Sequence, residues 1–144
     1  MQYVYDVLDD KGNETWTVAP DTSVFEALEI MADKNVGALV VVHDDRLIGI
    51  FSERDYARRV ALEGKRSRDT PVKEIMTEVV ATVRKSHSMK DCMEFMTTKR
   101  VRHLPVLEDE RLIGLVSIGD VVKSIMSYQD QLIQQLEAHI TGRV

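Results

Sequence analysis

The chain has 144 residues, of which 44% are hydrophobic and 30% are charged, and its formal net charge is -5 at pH 7. That length fits one compact domain or two small units that share a core. The acidic excess argues against a surface that binds nucleic acid, and the single cysteine excludes a disulfide within the chain. Because residues 1–10 do not resemble a signal peptide and no apolar run reaches 18 residues, we expect a cytoplasmic protein without a membrane partner.

The first predicted helix covers residues 23–34. Ser23 and Glu26, three residues apart, form the pattern of a capping box at its start. Apolar residues then recur at helical spacing and predict one buried face: Val24, Ala27, Leu28 and Met31.

A buried β-hairpin is predicted next. Two apolar runs rich in β-branched residues, 38–42 and 47–51, flank a polar turn. A second helix is expected to begin near Ser52, to carry Leu62 on its apolar face and to end at Gly64. With a short first strand, this gives a βαββα unit.

The chain contains this unit twice. At a shift of 65 residues, 17–55 aligns with 82–120 without a gap, and 16 of the 39 pairs are identical. Residues 4–8 also match residues 72–76 at a shift of 68, and Pro71 is predicted to open the short first strand of the second copy. The fold class is therefore α+β, with tandem repeats at 1–66 and 67–128.

The second copy repeats the same signals. Ser88 and Asp91 form its capping pattern, Cys92 is predicted to face the core, and strands are predicted at 104–107 and 112–116. The last helix extends beyond its counterpart, so 129–144 is predicted to be a helical extension that ends at Gly142. Its apolar residues recur at helical spacing: Val121, Val122, Ile125, Leu132, Leu136 and Ile140.

A doubled motif carries a family resemblance. Each hairpin ends in Gly-apolar-apolar-Ser-x-x-Asp, from Gly49 to Asp55 and from Gly114 to Asp120. Together with the strings 36–41 and 101–106, the paired motif resembles the CBS (cystathionine β-synthase) domain pair, or Bateman module. The resemblance implies pseudo-twofold packing of the repeats and clefts between them that bind AMP, ATP, NAD(H) or S-adenosylmethionine. It also implies a homodimer.

The motif has a chemistry that suits such ligands. A carboxylate at a helix start can accept hydrogen bonds from vicinal ribose hydroxyls, which assigns Asp55 and Asp120 to sugars. The hydroxyls of Ser52 and Ser117, with the free N–H groups at the helix start near Gly119, can receive phosphate oxygens. The same Ser-x-x-Asp spacing is also typical of a helix cap, and at Asp55 the two interpretations are evenly matched.

The two copies differ in basic residues. Where the first copy has small residues at 37–38, the second has Arg102 and His103, which we expect to contact phosphate. Lys99, Arg100 and Lys123 lie near them in the second copy, and a solvated basic face is the alternative for Lys99 and Arg100. In the first copy the phosphate candidates are Arg54 and Arg58, which are alternatively surface charges paired with Glu53 and Asp55. We therefore expect two unequal sites, of which the one at Asp120 binds more tightly.

The resemblance also implies an adenine slot formed by residues on or beside the strands. The assigned residues are Thr17, Val18, Ala38, Met76, Thr82, Val101, Leu104 and Pro105.

The expected function is that of a non-catalytic sensor read by an unknown partner protein. Neither a Rossmann nor a P-loop glycine pattern occurs, and the histidines lack metal-ligand spacing, so we expect neither a catalytic cofactor nor a metal. A triad of Ser52, His43 and Asp55 is rejected because no nucleophile elbow surrounds the serine. The alternative function is an oligomeric scaffold without a physiological nucleotide, assembled through the last helix.

Overall fold

The computed structural model describes residues 2–12, 15–79 and 81–141. Backbone contacts divide the chain into two compact units. The first unit is Glu14–Val80, and the second unit combines Met1–Asn13 with Ala81–Val144. The boundaries predicted at 66/67 and 128/129 mark sequence repeats, whereas these units are defined by contacts. The N-terminal segment therefore packs with the second copy of the repeat.

Both units mix helices and strands. In chain order the elements are α1 (Val4–Lys11), β1 (Thr17–Val18), α2 (Val24–Lys34), β2 (Ala38–His43), β3 (Arg46–Ser52), α3 (Glu53–Tyr56), a π-helical turn (Ala57–Ala61), a 3-10 turn (Val72–Glu74), β4 (Thr77–Glu78), α4 (Met89–Lys99), β5 (His103–Glu108), β6 (Arg111–Ser117) and α5 (Ile118–Ile140).

The first unit is built on a sheet with strand order β1-β2-β3-β4. β1 runs parallel to β2, and β2 and β3 form the predicted antiparallel hairpin. Ser23 caps α2 as predicted, because its hydroxyl accepts a hydrogen bond from the backbone N–H of Glu26 at 3.1 Å. The buried face of α2 packs with the sheet in one apolar core that includes Leu39 and Phe51.

The second unit repeats this plan around the β5–β6 hairpin. Val83 forms an isolated parallel bridge with Val106, at the place that β1 takes in the first unit. α1 completes the core, where Leu8 packs so closely on Gly114 that a Cβ there would lie 2.6 Å from a Leu8 methyl carbon. The glycine is therefore required by the close approach of α1 to β6.

In each hairpin the motif serine lies at the open end, opposite the turn. Ala38 lies opposite Ser52, and His103 lies opposite Ser117. The tight turns at the other end have two consecutive residues with positive φ, Asp44 and Asp45 in one and Asp109 and Glu110 in the other. This conformation matches the right-handed twist of the strands and fixes the register.

Two details of the predicted elements are wrong. The strand expected to open at Pro71 is a single bridge to Ser23 followed by the 3-10 turn, because the N–H groups of Val72 and Lys73 bond to the loop before α2. The helix after Ser52 is one α-turn followed by the π-helical turn, and Leu62 lies outside the core with 81% of its surface exposed.

The last helix, α5, is long and only partly covered. Val121 and Ser124 are buried, whereas the apolar side chains of its second half are exposed. The predicted end at Gly142 lies outside the described residues. Among the helices of the described chain, none combines the length and the apolar character needed to cross a membrane.

Candidate functional site

Both copies of the motif form reciprocal capping boxes. In the second unit the N–H of Ser117 donates to Oδ2 of Asp120 at 2.8 Å, and the N–H of Asp120 donates to the Ser117 hydroxyl at 3.2 Å. In the first unit the N–H groups of Ser52 and Asp55 make the same pair of bonds at 3.0 and 3.2 Å. The capping interpretation is therefore correct for both copies, and a ligand must use what the cap leaves over.

Asp55 has little left for a ligand. Its Oδ2 accepts hydrogen bonds from both the N–H and the hydroxyl of Ser52, and its Oδ1 accepts one from the hydroxyl of Thr77 at 2.9 Å. The residue is 8% exposed. Both carboxylate oxygens are thus engaged inside the unit.

Asp120 differs from its counterpart. Its Oδ2 accepts from Ser117 and from the ammonium group of Lys11, whose Nζ lies 2.7 Å away. In the described chain no donor is bonded to Oδ1, and the side chain is 20% exposed. One acceptor oxygen of Asp120 is therefore available at the surface of the second unit.

Lys11 is a site residue that was not predicted from the sequence. It ends α1 and is separated by 109 residues from Asp120 in the chain, yet it donates both to that carboxylate and to the carbonyl of Leu115 at 2.6 Å. One signal pointed to its position. The match of residues 4–8 with 72–76 places Thr77 and Lys11 shortly after equivalent segments, and both contact a motif carboxylate.

The structure brings the predicted phosphate ligands Arg102 and His103 to the same strand end. The carbonyl of Arg102 accepts from the N–H of Ile118, the first residue of α5, at 2.9 Å. His103 begins β5 opposite Ser117. Arg102 is exposed and His103 half-buried. Gly119, between the two motif residues, is also exposed.

The remaining predicted cations are surface residues. Arg100 has a left-handed backbone at the C-cap of α4, φ 55°, as Asn35 has at the end of α2, φ 54°. Its side chain is exposed, as are those of Lys99, Lys123, Arg54 and Arg58. Each of these residues stays a predicted contact.

The residues predicted to form the adenine slot differ in their exposure to solvent. Val18, Ala38, Leu104 and Pro105 are buried, and Leu104 is wholly enclosed in the core of the second unit. Thr17 and Thr82 are exposed, while Val101 is half-buried. Met76 is half-buried in the first unit, where its sulfur would clash with a Cβ at Gly49. In the second unit the accessible slot residues are thus Thr82 and Val101.

An open cleft occurs among the described residues of each unit. A cleft of about 460 Å³ in the first unit is lined by α2, Gly37, Glu53 and Tyr56. A cleft of about 660 Å³ in the second unit lies between residues 82–87 and the β5–β6 turn, with Lys85 and Glu108 3.7 Å apart. The second cleft includes Thr82 but lies at the end of the hairpin away from Ser117.

The distances and burial of the described residues bear on the catalytic and metal sites considered from the sequence. His43 and Ser52 lie at opposite ends of the β2–β3 hairpin, about 20 Å apart at the usual rise of a strand, so the rejected triad is ruled out by distance. Burial raises the pKa of Cys92 to about 12, which keeps the thiol protonated. The described residues contain no group of three histidine, cysteine or acidic side chains suited to a metal.

Two similar units, each with a hairpin that ends in the Ser-x-x-Asp cap, define the class of paired CBS domains. The CBS domain family model matches residues 6–62 and 72–127. The chain belongs to the CBS domain family.

Three comparisons illustrate the relationship. A mitochondrial CBS domain-containing protein of Arabidopsis thaliana, CBSX3, is 40% identical over 96% of this chain and 72% of its own length. The crystal structure of the CBS domain protein NE2398 is 48% identical, covers 87% of this chain and 98% of its own, and has a TM-score of 0.81. The CBS domain pair of MJ0100, in complex with 5′-methylthioadenosine and S-adenosylmethionine, is 25% identical over 86% and 99%, with a TM-score of 0.74.

Proposed function

We propose that this chain is a non-catalytic regulatory module that binds an adenosine-containing nucleotide at the start of α5. The observation that carries the proposal is the carboxylate of Asp120. It is fixed by the Ser117 cap at a helix start and retains one acceptor oxygen, and the capping Ser117 lies opposite His103, which follows Arg102 in the chain.

The groups near Asp120 are suited to the ribose, the phosphate and the base of a nucleotide. Oδ1 of Asp120 can accept a hydrogen bond from a ribose hydroxyl. Such a bond is stronger to a charged acceptor than to a neutral one. The first N–H groups of α5 and the guanidinium of Arg102 are suited to a phosphate. Val101 and Thr82 provide accessible surface for the base. AMP, ATP and NAD(H) are thus favoured among the adenosine-containing ligands.

The similarity to the MJ0100 pair supports an adenosine-type ligand. That pair is in complex with two adenosine derivatives. Neither 5′-methylthioadenosine nor S-adenosylmethionine carries a phosphate, and the latter is cationic at its sulfur. The basic residues Arg102 and Arg100 therefore favour a more anionic ligand in this chain.

The Asp55 site is expected to bind more weakly. A ribose there displaces the Thr77 hydroxyl from Oδ1 and needs access to a carboxylate that is almost fully buried. Breaking such a hydrogen bond offsets most of what the new one contributes. Unequal affinities at the two motifs follow from this difference.

Binding transmits a signal only if the ligand prefers one of two states of the protein. In this chain α5 connects the proposed ligand site with an exposed apolar surface. Its first turn carries Asp120, and its second half carries exposed apolar side chains. A partner protein that contacts α5 is in a position to respond to ligand.

The first experiment is mass spectrometry of small molecules that co-purify with the protein, followed by calorimetry with AMP, ATP, NAD(H) and S-adenosylmethionine. Asp120→Asn is expected to weaken binding at least tenfold because it removes the charged acceptor. Asp91→Asn is the matched control, since Asp91 makes the same capping box with Ser88 at the start of α4. Absence of binding, or equal effects of the two variants, would contradict the proposal.

An oligomeric scaffold is the second candidate function. It is favoured by α5, where Leu136 and Ile140 are 61% and 81% exposed and Leu132 lies one turn earlier. Fully covering each such side chain contributes about 1.5 to 3 kcal/mol. We therefore propose a homodimer in which α5 contributes to the contact.

Sedimentation equilibrium of the full chain tests this second candidate. Truncation after Ser127 is expected to lower the oligomeric state, whereas Gln131→Ala, on the same helix, is expected to leave it unchanged. A monomeric full chain, or an oligomer that truncation does not alter, excludes α5 as the assembling element. Nucleotide binding by the truncated chain would separate the two functions.

A further inference from the structure

The ammonium group of Lys11 lies beside the carboxylate that the proposed function assigns to a ribose. Two of its three N–H groups are engaged, one with Oδ2 of Asp120 and one with the carbonyl of Leu115. The part of the chain that the structure describes offers no acceptor to the third. Since Oδ1 of Asp120 is also available, a free donor and a free acceptor lie side by side.

The position of Lys11 is fixed by packing as well as by charge. Leu8, one turn earlier in α1, is buried against Gly114, and the N–H of Val4 bonds to the carbonyl of His87 at 2.9 Å. α1 then ends at Gly12, whose φ is 88° and whose N–H bonds to the carbonyl of Leu8 at 2.8 Å. The ammonium group is therefore held in place before any ligand arrives, which reduces the entropic cost of using it.

The occupied state of Oδ2 limits how Asp120 can hold a sugar. A carboxylate with two free oxygens can accept from both hydroxyls of a ribose. Here Oδ2 already accepts from Ser117 and Lys11, so one oxygen remains for the two hydroxyls. Oδ1 can accept from one hydroxyl, and Lys11 offers a donor to the oxygen of the neighbouring hydroxyl within the same group of atoms.

The first unit shows the contrast. Thr77 takes the corresponding place, but its hydroxyl donates to Oδ1 of Asp55 and leaves neither a free oxygen nor a positive charge there. A paired donor and acceptor are thus a property of the second unit.

We propose that Lys11 is a specificity-determining residue of the Asp120 site, where its free N–H donates to one ribose hydroxyl while Oδ1 of Asp120 accepts from the other. This inference rests on the proposed function and deepens it by naming the ligand class, a ribonucleotide with an intact 2′,3′-diol. A deoxyribose leaves either the donor or the acceptor without a partner, which costs binding free energy.

The test is calorimetry with AMP, 2′-deoxy-AMP and 3′-deoxy-AMP. The native chain is expected to bind AMP about tenfold more tightly than either deoxy form, the scale of one hydrogen bond to a charged group. Lys11→Met is expected to weaken AMP about tenfold and to leave unchanged the deoxy form whose missing hydroxyl faces Lys11. The Lys11→Met protein is therefore expected to bind AMP and that deoxy form with equal affinity. It should still bind the other deoxy form more weakly than AMP. Lys11→Arg keeps a charged donor, so it is expected to retain part of the AMP affinity and part of the preference for AMP over the deoxy forms.

Lys73→Met is the matched control, since Lys73 forms an ion pair of similar length, 2.8 Å, with Asp21 in the first unit. Thermal unfolding of each variant reports on a purely structural role. If Lys11→Met lowers the affinity for all three nucleotides equally, or for none of them, Lys11 has only a structural role in holding α1 in place. The inference is then overturned. If the native chain binds none of the three, the proposed function fails with AMP as its ligand, and the inference fails with it.

Discussion

Replacing Gly114 by alanine tests whether α1 is packed against β6 as the structure indicates. A Cβ at this position would lie 2.6 Å from one methyl carbon of Leu8 and 3.2 Å from the other, and Leu8 is buried and enclosed by the core. Forcing an extra carbon into a close-packed core costs about 1 to 3 kcal/mol. Urea unfolding of Gly114→Ala is therefore expected to show a free energy of unfolding lower by about 2 kcal/mol, with an unchanged m-value.

The double variant with Leu8→Ala identifies the cause. Leu8→Ala alone removes a buried side chain and is expected to cost about 2 to 5 kcal/mol, but in its presence the clash disappears. The double variant should then be more stable than the sum of the single effects predicts. Gly119→Ala is the control, because its nearest neighbour would be the Ser117 hydroxyl at 3.6 Å. Strict additivity of Leu8→Ala and Gly114→Ala, or a neutral Gly114→Ala, would refute the close packing of α1.

Three further predictions concern stability and reactivity. With its pKa raised to about 12 by burial, Cys92 is expected to react with Ellman's reagent at pH 8 only at the rate of unfolding, and stoichiometric reaction of the native protein within seconds would contradict this. Glu110→Gly, at a φ of 66°, is expected to raise the free energy of unfolding by about 1 kcal/mol, because an L-residue is disfavoured there, and chemical denaturation measures it. The hydrogen bond from the N–H of Ser88 lowers the pKa of Asp91, so Asp91 stabilises the protein above its unfolded value of 3.8, and this contribution is lost as the pH falls through the lower folded value. Acid unfolding should show the native chain and Asp91→Asn converging in stability below pH 3.8.

Local signals predicted most of the fold. Ser23 and Ser88 cap α2 and α4 as expected, and the two hairpins differ from the predicted strands by only a residue or so at each end. These elements are set by residues three or four apart, or by alternation along a strand. The widened turn after Tyr56 carries no such signal, because a π-helical turn and an α-turn place similar demands on nearby residues.

The candidate site was less predictable because half of it comes from another part of the chain. The Ser-x-x-Asp spacing indicates a cap and a carboxylate, but not which carboxylate oxygens remain free. That depends on Thr77 for Asp55 and on Lys11 for Asp120, contacts made across 22 and 109 residues. Sequence similarity aligned the segments that bring these residues but gave no indication of the unit in which each segment packs.

The difference between Thr77 and Lys11 determines which carboxylate oxygens of the duplicated motif are already engaged. A threonine hydroxyl donates its one proton to the carboxylate, so both oxygens of Asp55 are engaged within a buried cap. An ammonium group has three protons, of which Asp120 and Leu115 take two, and its charge is balanced by the carboxylate that it contacts. The Asp120 carboxylate is therefore partly exposed and paired with Lys11 at the helix start. The second unit therefore keeps a donor and an acceptor side by side at the start of α5, which the Thr77–Asp55 pair of the first unit does not.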